Sequence, residues 1–63
     1  MENKMTIIAA LFNKQLGEMF QVKHENTIYT ADFWPRGLHL RGQSWNTCDR
    51  IFKYLLIGEA KIV

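Results

Sequence analysis

With a single cysteine, Cys48, the chain has no internal disulfide, the staple on which many very small domains rely. That usage fits a reducing compartment. Proline occurs once, at Pro35, and glycine four times, so few positions are built to force a turn. The apolar run IIAALF at residues 7–12 is far shorter than the roughly 20 residues needed to cross a bilayer. Its polar flanks and short length do not suit a secretory leader either, so a cytoplasmic location is expected. The six acidic residues are scattered, which excludes the dense carboxylate array that mimicry of DNA requires. Basic bias is equally modest, at a formal charge of +2, well short of a dedicated nucleic-acid arm. No spacing of His, Cys, Asp or Glu matches a metal site, and no glycine-rich loop leads into a helix as a phosphate cradle would. No cofactor is expected.

Against these absences stands a chain rich in apolar residues, 48% of the total, and free of repeats and low-complexity tracts. Its 63 residues form one small domain, 1–63. A domain of this size buries only about 60% of its unfolded surface, and its core rarely supplies more than about 3–5 kcal/mol net. Association between copies adds apolar area that one subunit lacks, so a homodimer is expected. Sheet extension and burial of a tryptophan are the two routes to it.

Two changes of hydrophobic period divide the chain. Residues 6–16 place Ile7, Ile8, Leu11 and Phe12 at helical spacing, with Thr6 as N-cap, Lys14 in the last turn and Gly17 just beyond the end. Residues 18–24 and 27–34 alternate with period two, and Glu25-Asn26 between them suits a tight hairpin. A two-residue loop sets His24 opposite Thr27, Val22 opposite Tyr29 and Phe20 opposite Ala31, which gathers Phe20, Val22, Tyr29, Ala31 and Phe33 on one face. A slip by one residue would turn one strand's apolar set to water. Trp34-Pro35-Arg36-Gly37 reads as the next turn, leaving Phe33 facing Leu38 and Ala31 facing Leu40. Ser44 and Asn46 offer N-caps for a second helix over 47–57, with Cys48, Ile51, Phe52 and Leu55 as its stripe and Asp49 to Lys53 as an ion pair. Gly58 ends it, and the tail GEAKIV provides an edge strand. The predicted class is α+β, in the order α-β-β-β-α-β: a small antiparallel sheet of three to four strands with two helices on one face.

Cys48 falls on a buried stripe, which favours packing over nucleophilic chemistry. His24 sits at a strand end beside a turn. His39 falls opposite Asp32 on the outer face, a pairing that resembles an oriented base but comes with no nucleophile, so a non-enzymatic chain is expected. The stretch ADFWPRGLHLRGQSW, residues 31–45, is the richer candidate. Trp34, Arg36, His39, Arg41 and Trp45 can gather at one end and on the outer face of the sheet, with Lys23 on that face and Ile28 beside it. Tryptophan and arginine are preferred anchors of protein interfaces, and basic residues mixed with aromatics also suit single-stranded nucleic acid. The alternative is that the tryptophans cap the core and the arginines solvate the sheet.

The segments TIIAALFNKQLGEMFQV, RGLHL and YLLIGEAKIV, with a hairpin bearing Tyr and Phe between the first two, resemble small orphan proteins of phages and prophages of Gram-positive bacteria. The most specific piece is the ending LL-x-GEAKIV. The resemblance implies a small accessory factor in the host cytoplasm that binds a host or phage protein, for example as an inhibitor of a defence system. It carries no site residues. The leading expectation is therefore a protein-binding module, with nucleic-acid binding through the outer sheet face as the alternative and no membrane partner.

Overall fold

The computed structural model describes residues 3–63. Two helices and four strands follow in the order α1 (Lys4–Leu11), β1 (Met19–His24), β2 (Thr27–Trp34), β3 (Gly37–Leu40), α2 (Trp45–Ile57) and β4 (Ala60–Ile62). The strands form one antiparallel sheet in the order β3-β2-β1-β4. This is the α+β arrangement expected from the sequence.

Hairpin register is as the alternation requires. Val22 pairs with Tyr29, Phe20 with Ala31, Phe33 with Leu38 and Ala31 with Leu40. Phe20, Val22, Ala31, Phe33, Leu38 and Leu40 are all buried, and both helices cover them, adding Met5 and Ala9 from α1 and Cys48, Ile51 and Leu55 from α2. Phe33 lies at the centre, its ring 5.0 Å from Phe20, 5.8 Å from Phe12 and 6.4 Å from Phe52. Tyr29 is half-buried at the margin of this core.

The second turn is tighter than the sequence suggested. Trp34 and Gly37 pair as the last rungs of β2 and β3, and only Pro35 and Arg36 lie between them. The extended strand conformation of Trp34 satisfies the restriction that Pro35 places on the residue before it. Gly37 has φ +152° and closes against Phe52, whose ring would lie 3.6 Å from an added Cβ.

The first helix departs most from expectation. It starts earlier, capped by Asn3, whose side chain accepts a hydrogen bond from the Met5 N–H at 2.7 Å. It stops earlier too. Asn13 takes the left-handed conformation at φ 60°, and the Lys14 N–H turns back to the Ala9 carbonyl at 2.9 Å, closing the helix five residues before Gly17 would finish it. Lys14 consequently leaves the last turn and pairs with Glu18 at 3.6 Å. The buried stripe is Met5 and Ala9 with half-buried Ile8 and Phe12, whereas Ile7 and Leu11 face solvent at 53% and 77% exposure. Periodicity alone could not set this phase, because α1 is apolar around most of its circumference.

The second helix follows its predicted stripe but begins at Trp45, with Ser44 as the N-cap accepting from the Thr47 N–H at 3.4 Å. Gly58 ends it in the left-handed region at φ 87°, and the Glu59 N–H returns to the Tyr54 carbonyl. The expected Asp49–Lys53 ion pair is absent among the described residues, where Lys14 instead pairs with Glu18.

The two sheet edges differ. Arg41 N–H bonds to the Thr30 carbonyl, so the alternation of the ladder points the backbone of Leu38 and Leu40 away from β2. Both residues are fully buried, and the Leu40 N–H donates to Cys48 Sγ at 3.2 Å. The β3 edge is therefore covered by α2. The β4 edge is open but only three residues long and carries Lys61, two features that blunt edge pairing.

Candidate functional site

The outer face of the sheet is built by the residues that alternate with the core. Reading the register across, Asp32 lies between His39 and Met19, and Lys23 lies between Ile28 and Lys61. Thr30 and Arg41, joined through the Thr30 carbonyl, make a further row.

Asp32 organises one end of this face. One carboxylate oxygen, Oδ2, accepts the Trp34 indole N–H at 2.7 Å, and the other, Oδ1, lies 3.3 Å from His39 Nδ1. The Trp34 and His39 rings then stack at 4.2 Å with 18° between their planes. Trp45 reaches the same cluster from the first residue of α2, meeting Trp34 edge-on at 5.6 Å and His39 at 5.3 Å. The Arg36 guanidinium, on the β2–β3 turn, lies 4.2 Å from the centre of the Trp45 ring. Each aromatic pair contributes roughly 0.5–1.5 kcal/mol beyond its buried area, and an exposed cation–π contact about 0.5–1 kcal/mol. These contacts favour this arrangement in the free chain.

Beside it lies a shallow depression of about 280 Å³, lined by Met19, Thr30, Asp32, Trp34, His39 and Arg41. It explains why Thr30 and Asp32 are half-buried although they face outward. Trp34 keeps 40% of its surface exposed and Met19 keeps 58%, so an apolar wall remains open to solvent in the depression that Arg41 also lines.

Of the six residues proposed from sequence, the structure brings Trp34, His39 and Trp45 into mutual contact, sets Arg36 on Trp45 and places Arg41 on the depression. Lys23 is not among them. It shares the face but pairs with Ile28, six residues along β2 from Trp34. Sequence reasoning missed Met19 and Thr30 and undervalued Asp32. The register contained the signal for all three, since it sets Met19 and His39 on either side of Asp32 and Thr30 two residues before it. The question of whether the tryptophans cap the core or form a surface has a divided answer. Trp45 packs partly on the core, whereas Trp34 stands on the opposite face.

The arrangement suits recognition. The His39 ring is committed to Asp32, Trp34 and Trp45, and Cys48 is buried beneath Leu40 on the other side of the sheet. Among the described residues, no three of His, Cys, Asp or Glu are placed to hold a metal ion, and no helix is long and apolar enough to cross a membrane. Comparison with protein-family models, with curated proteins and with solved structures returns no match.

Proposed function

We propose that this chain is a small accessory protein that acts by binding another protein through the outer sheet face, centred on Trp34, His39, Trp45 and Arg36. The observation that carries the reading is the prior packing of this cluster. A single-stranded nucleic acid needs free aromatic faces on which its bases stack. Here one face of Trp34 is taken by His39, and the Arg36 guanidinium lies over Trp45. A protein interface gains from the same arrangement, because a tryptophan already held in one rotamer loses little further entropy on binding, a saving of about 0.5–1.5 kcal/mol for such a side chain. Tryptophan and arginine beside a shallow depression are the usual composition of an interface centre.

The likeness of the chain's segments to phage and prophage orphan proteins supplies a biological setting. In it, the partner is a host or phage protein in the host cytoplasm and the outcome is inhibition, for example of a defence protein.

Titration with labelled oligonucleotides at several salt concentrations tests the choice. Little affinity is expected at physiological salt. Tight binding with a log–log salt slope of about −2 to −3, as phosphate contacts by Lys23, Arg36 and Arg41 would produce, would overturn the reading in favour of nucleic acid.

A further inference from the structure

The basic residues on the strands of the outer face lie on adjacent rows of the sheet. Lys23, Arg36, Arg41 and Lys61 lie on the outer face or its rim, with Glu25 and Glu59 in the turns beside the Lys23–Lys61 row and, on the face itself, the carboxylate of Asp32. That carboxylate is already engaged by Trp34 and His39. Of the other described acidic residues, Glu18 pairs with Lys14 and Asp49 lies on α2.

One pair within this array is unfavourable for folding. Lys23 and Lys61 are direct cross-strand partners on the same face, and among the described residues neither has a carboxylate within 4.0 Å. Like charges set opposite each other destabilise a sheet. Lys61 has a structural reason, since a lysine on an open edge strand discourages pairing with another chain. Lys23 has no such reason, because β1 lies inside the sheet between β2 and β4. Arg41 is likewise set beside the depression with no carboxylate of its own.

We propose that the partner bound by this face is an acidic protein surface, one that seats a large apolar side chain in the depression between Trp34 and Met19 and sets carboxylates on Arg41, Lys23 and Lys61. The proposal rests on the protein-binding reading above and adds the chemistry of the partner. Arg41 and Lys23 are separated by two strand spacings across the sheet and one side-chain repeat along it, roughly 12 Å between backbones. Carboxylates four residues apart on an extended strand, about 13 Å, or seven apart on a helix, about 10.5 Å, match that interval. The repulsion between Lys23 and Lys61 is relieved when acidic groups bind, so part of the stability given up in the free protein is recovered in the complex.

The test is selection of random displayed peptides on the intact chain, followed by affinity measurement with the enriched peptides at low and high salt. Enriched peptides are expected to carry at least two carboxylates and a large apolar residue, and to bind less tightly as salt rises. Trp34→Ala should weaken them by more than about tenfold, as loss of a central anchor does. Arg41→Ala, Lys23→Gln and Lys61→Gln should each weaken them by roughly threefold or more, as loss of a complementary charge does. Because Trp34→Ala also loosens the cluster, Lys23→Gln provides the independent check: its melting temperature should rise at low salt while its peptide affinity falls. Neutral or basic peptides that still depend on Trp34 would overturn the acidic partner and leave protein binding standing. Peptides indifferent to both lysines would reduce Lys61 to an edge guard and also overturn it. Failure to enrich any Trp34-dependent peptide would overturn the protein-binding reading itself.

Discussion

Leu11→Ala provides the sharpest test of how the first helix sits, because the two readings of α1 differ by several kcal/mol. If Leu11 belonged to the buried stripe, as its spacing from Ile7 and Ile8 suggests, truncation would cost about 2–5 kcal/mol, comparable with the whole stability of a domain this small. In the structure Leu11 is 77% exposed. Full burial of a leucine is worth about 1.5–3 kcal/mol, so the covered quarter contributes roughly 0.5 kcal/mol. Alanine has a slightly better helix propensity, which offsets part of that. The net expectation is a change within about 0.5 kcal/mol, or no more than about 4 °C in Tm for a chain of this length. Met5→Ala is the matching positive control. Met5 is 6% exposed and belongs to the core, and its truncation should cost about 2–5 kcal/mol. Ala9→Leu, at a site with no exposed surface, should cost about 1–3 kcal/mol by overpacking. Urea unfolding followed by tryptophan fluorescence measures all three. A loss above about 2 kcal/mol for Leu11→Ala, with Met5→Ala near neutral, would show the helix turned the other way.

Phe33→Ala removes a ring in contact with three other phenylalanines and should cost about 3–5 kcal/mol, leaving the chain largely unfolded by circular dichroism at room temperature; a cooperative transition close to that of the wild type would contradict the core described here. Glu25 occupies the β1–β2 turn at φ 56°, where an L-residue is strained by roughly 1–2 kcal/mol. Glu25→Gly relieves that strain at an entropic cost of about 0.5–1 kcal/mol, so a small rise in Tm is expected and a fall would refute the strain. Cys48 should resist thiol reagents in the native state and react fully in urea, because it lies buried beneath β3; rapid native labelling would show the β3 edge to be open. The homodimer expected from composition has only the β4 edge left for sheet extension, and its symmetric register sets Lys61 against Lys61. Such a dimer should be weak and strengthened by salt, which screens that repulsion. Sedimentation showing a tight dimer indifferent to salt would exclude this route.

Strand pairing was readable from sequence because a period of two leaves no freedom. Once Glu25-Asn26 is the loop, every partner from His24–Thr27 to Phe20–Ala31 follows, and any other register exposes apolar side chains. The same logic carried through Pro35 to β3 and set His39 opposite Asp32. The end of α2 was equally legible, since Gly58 is the residue type that accepts the left-handed conformation without strain. The limits and rotation of α1 were not. Its apolar residues nearly encircle the helix, so no stripe stands out, and Asn13 rather than a glycine takes the left-handed position that ends it. Which side is buried was decided by the space over Phe20 and Phe33, a tertiary quantity. The site divides in the same way. Alternation alone placed His39 and Lys23 on one face, and left Trp34 in the turn beside it. Only the folded chain could show that α2 begins early enough for Trp45 to reach Trp34 and His39, that Asp32 spends both oxygens holding them, and that Lys23 stands apart, opposite Lys61. Those facts depend on where a helix crosses a sheet, and that crossing is set by side-chain volumes packed between them rather than by any local pattern of residues.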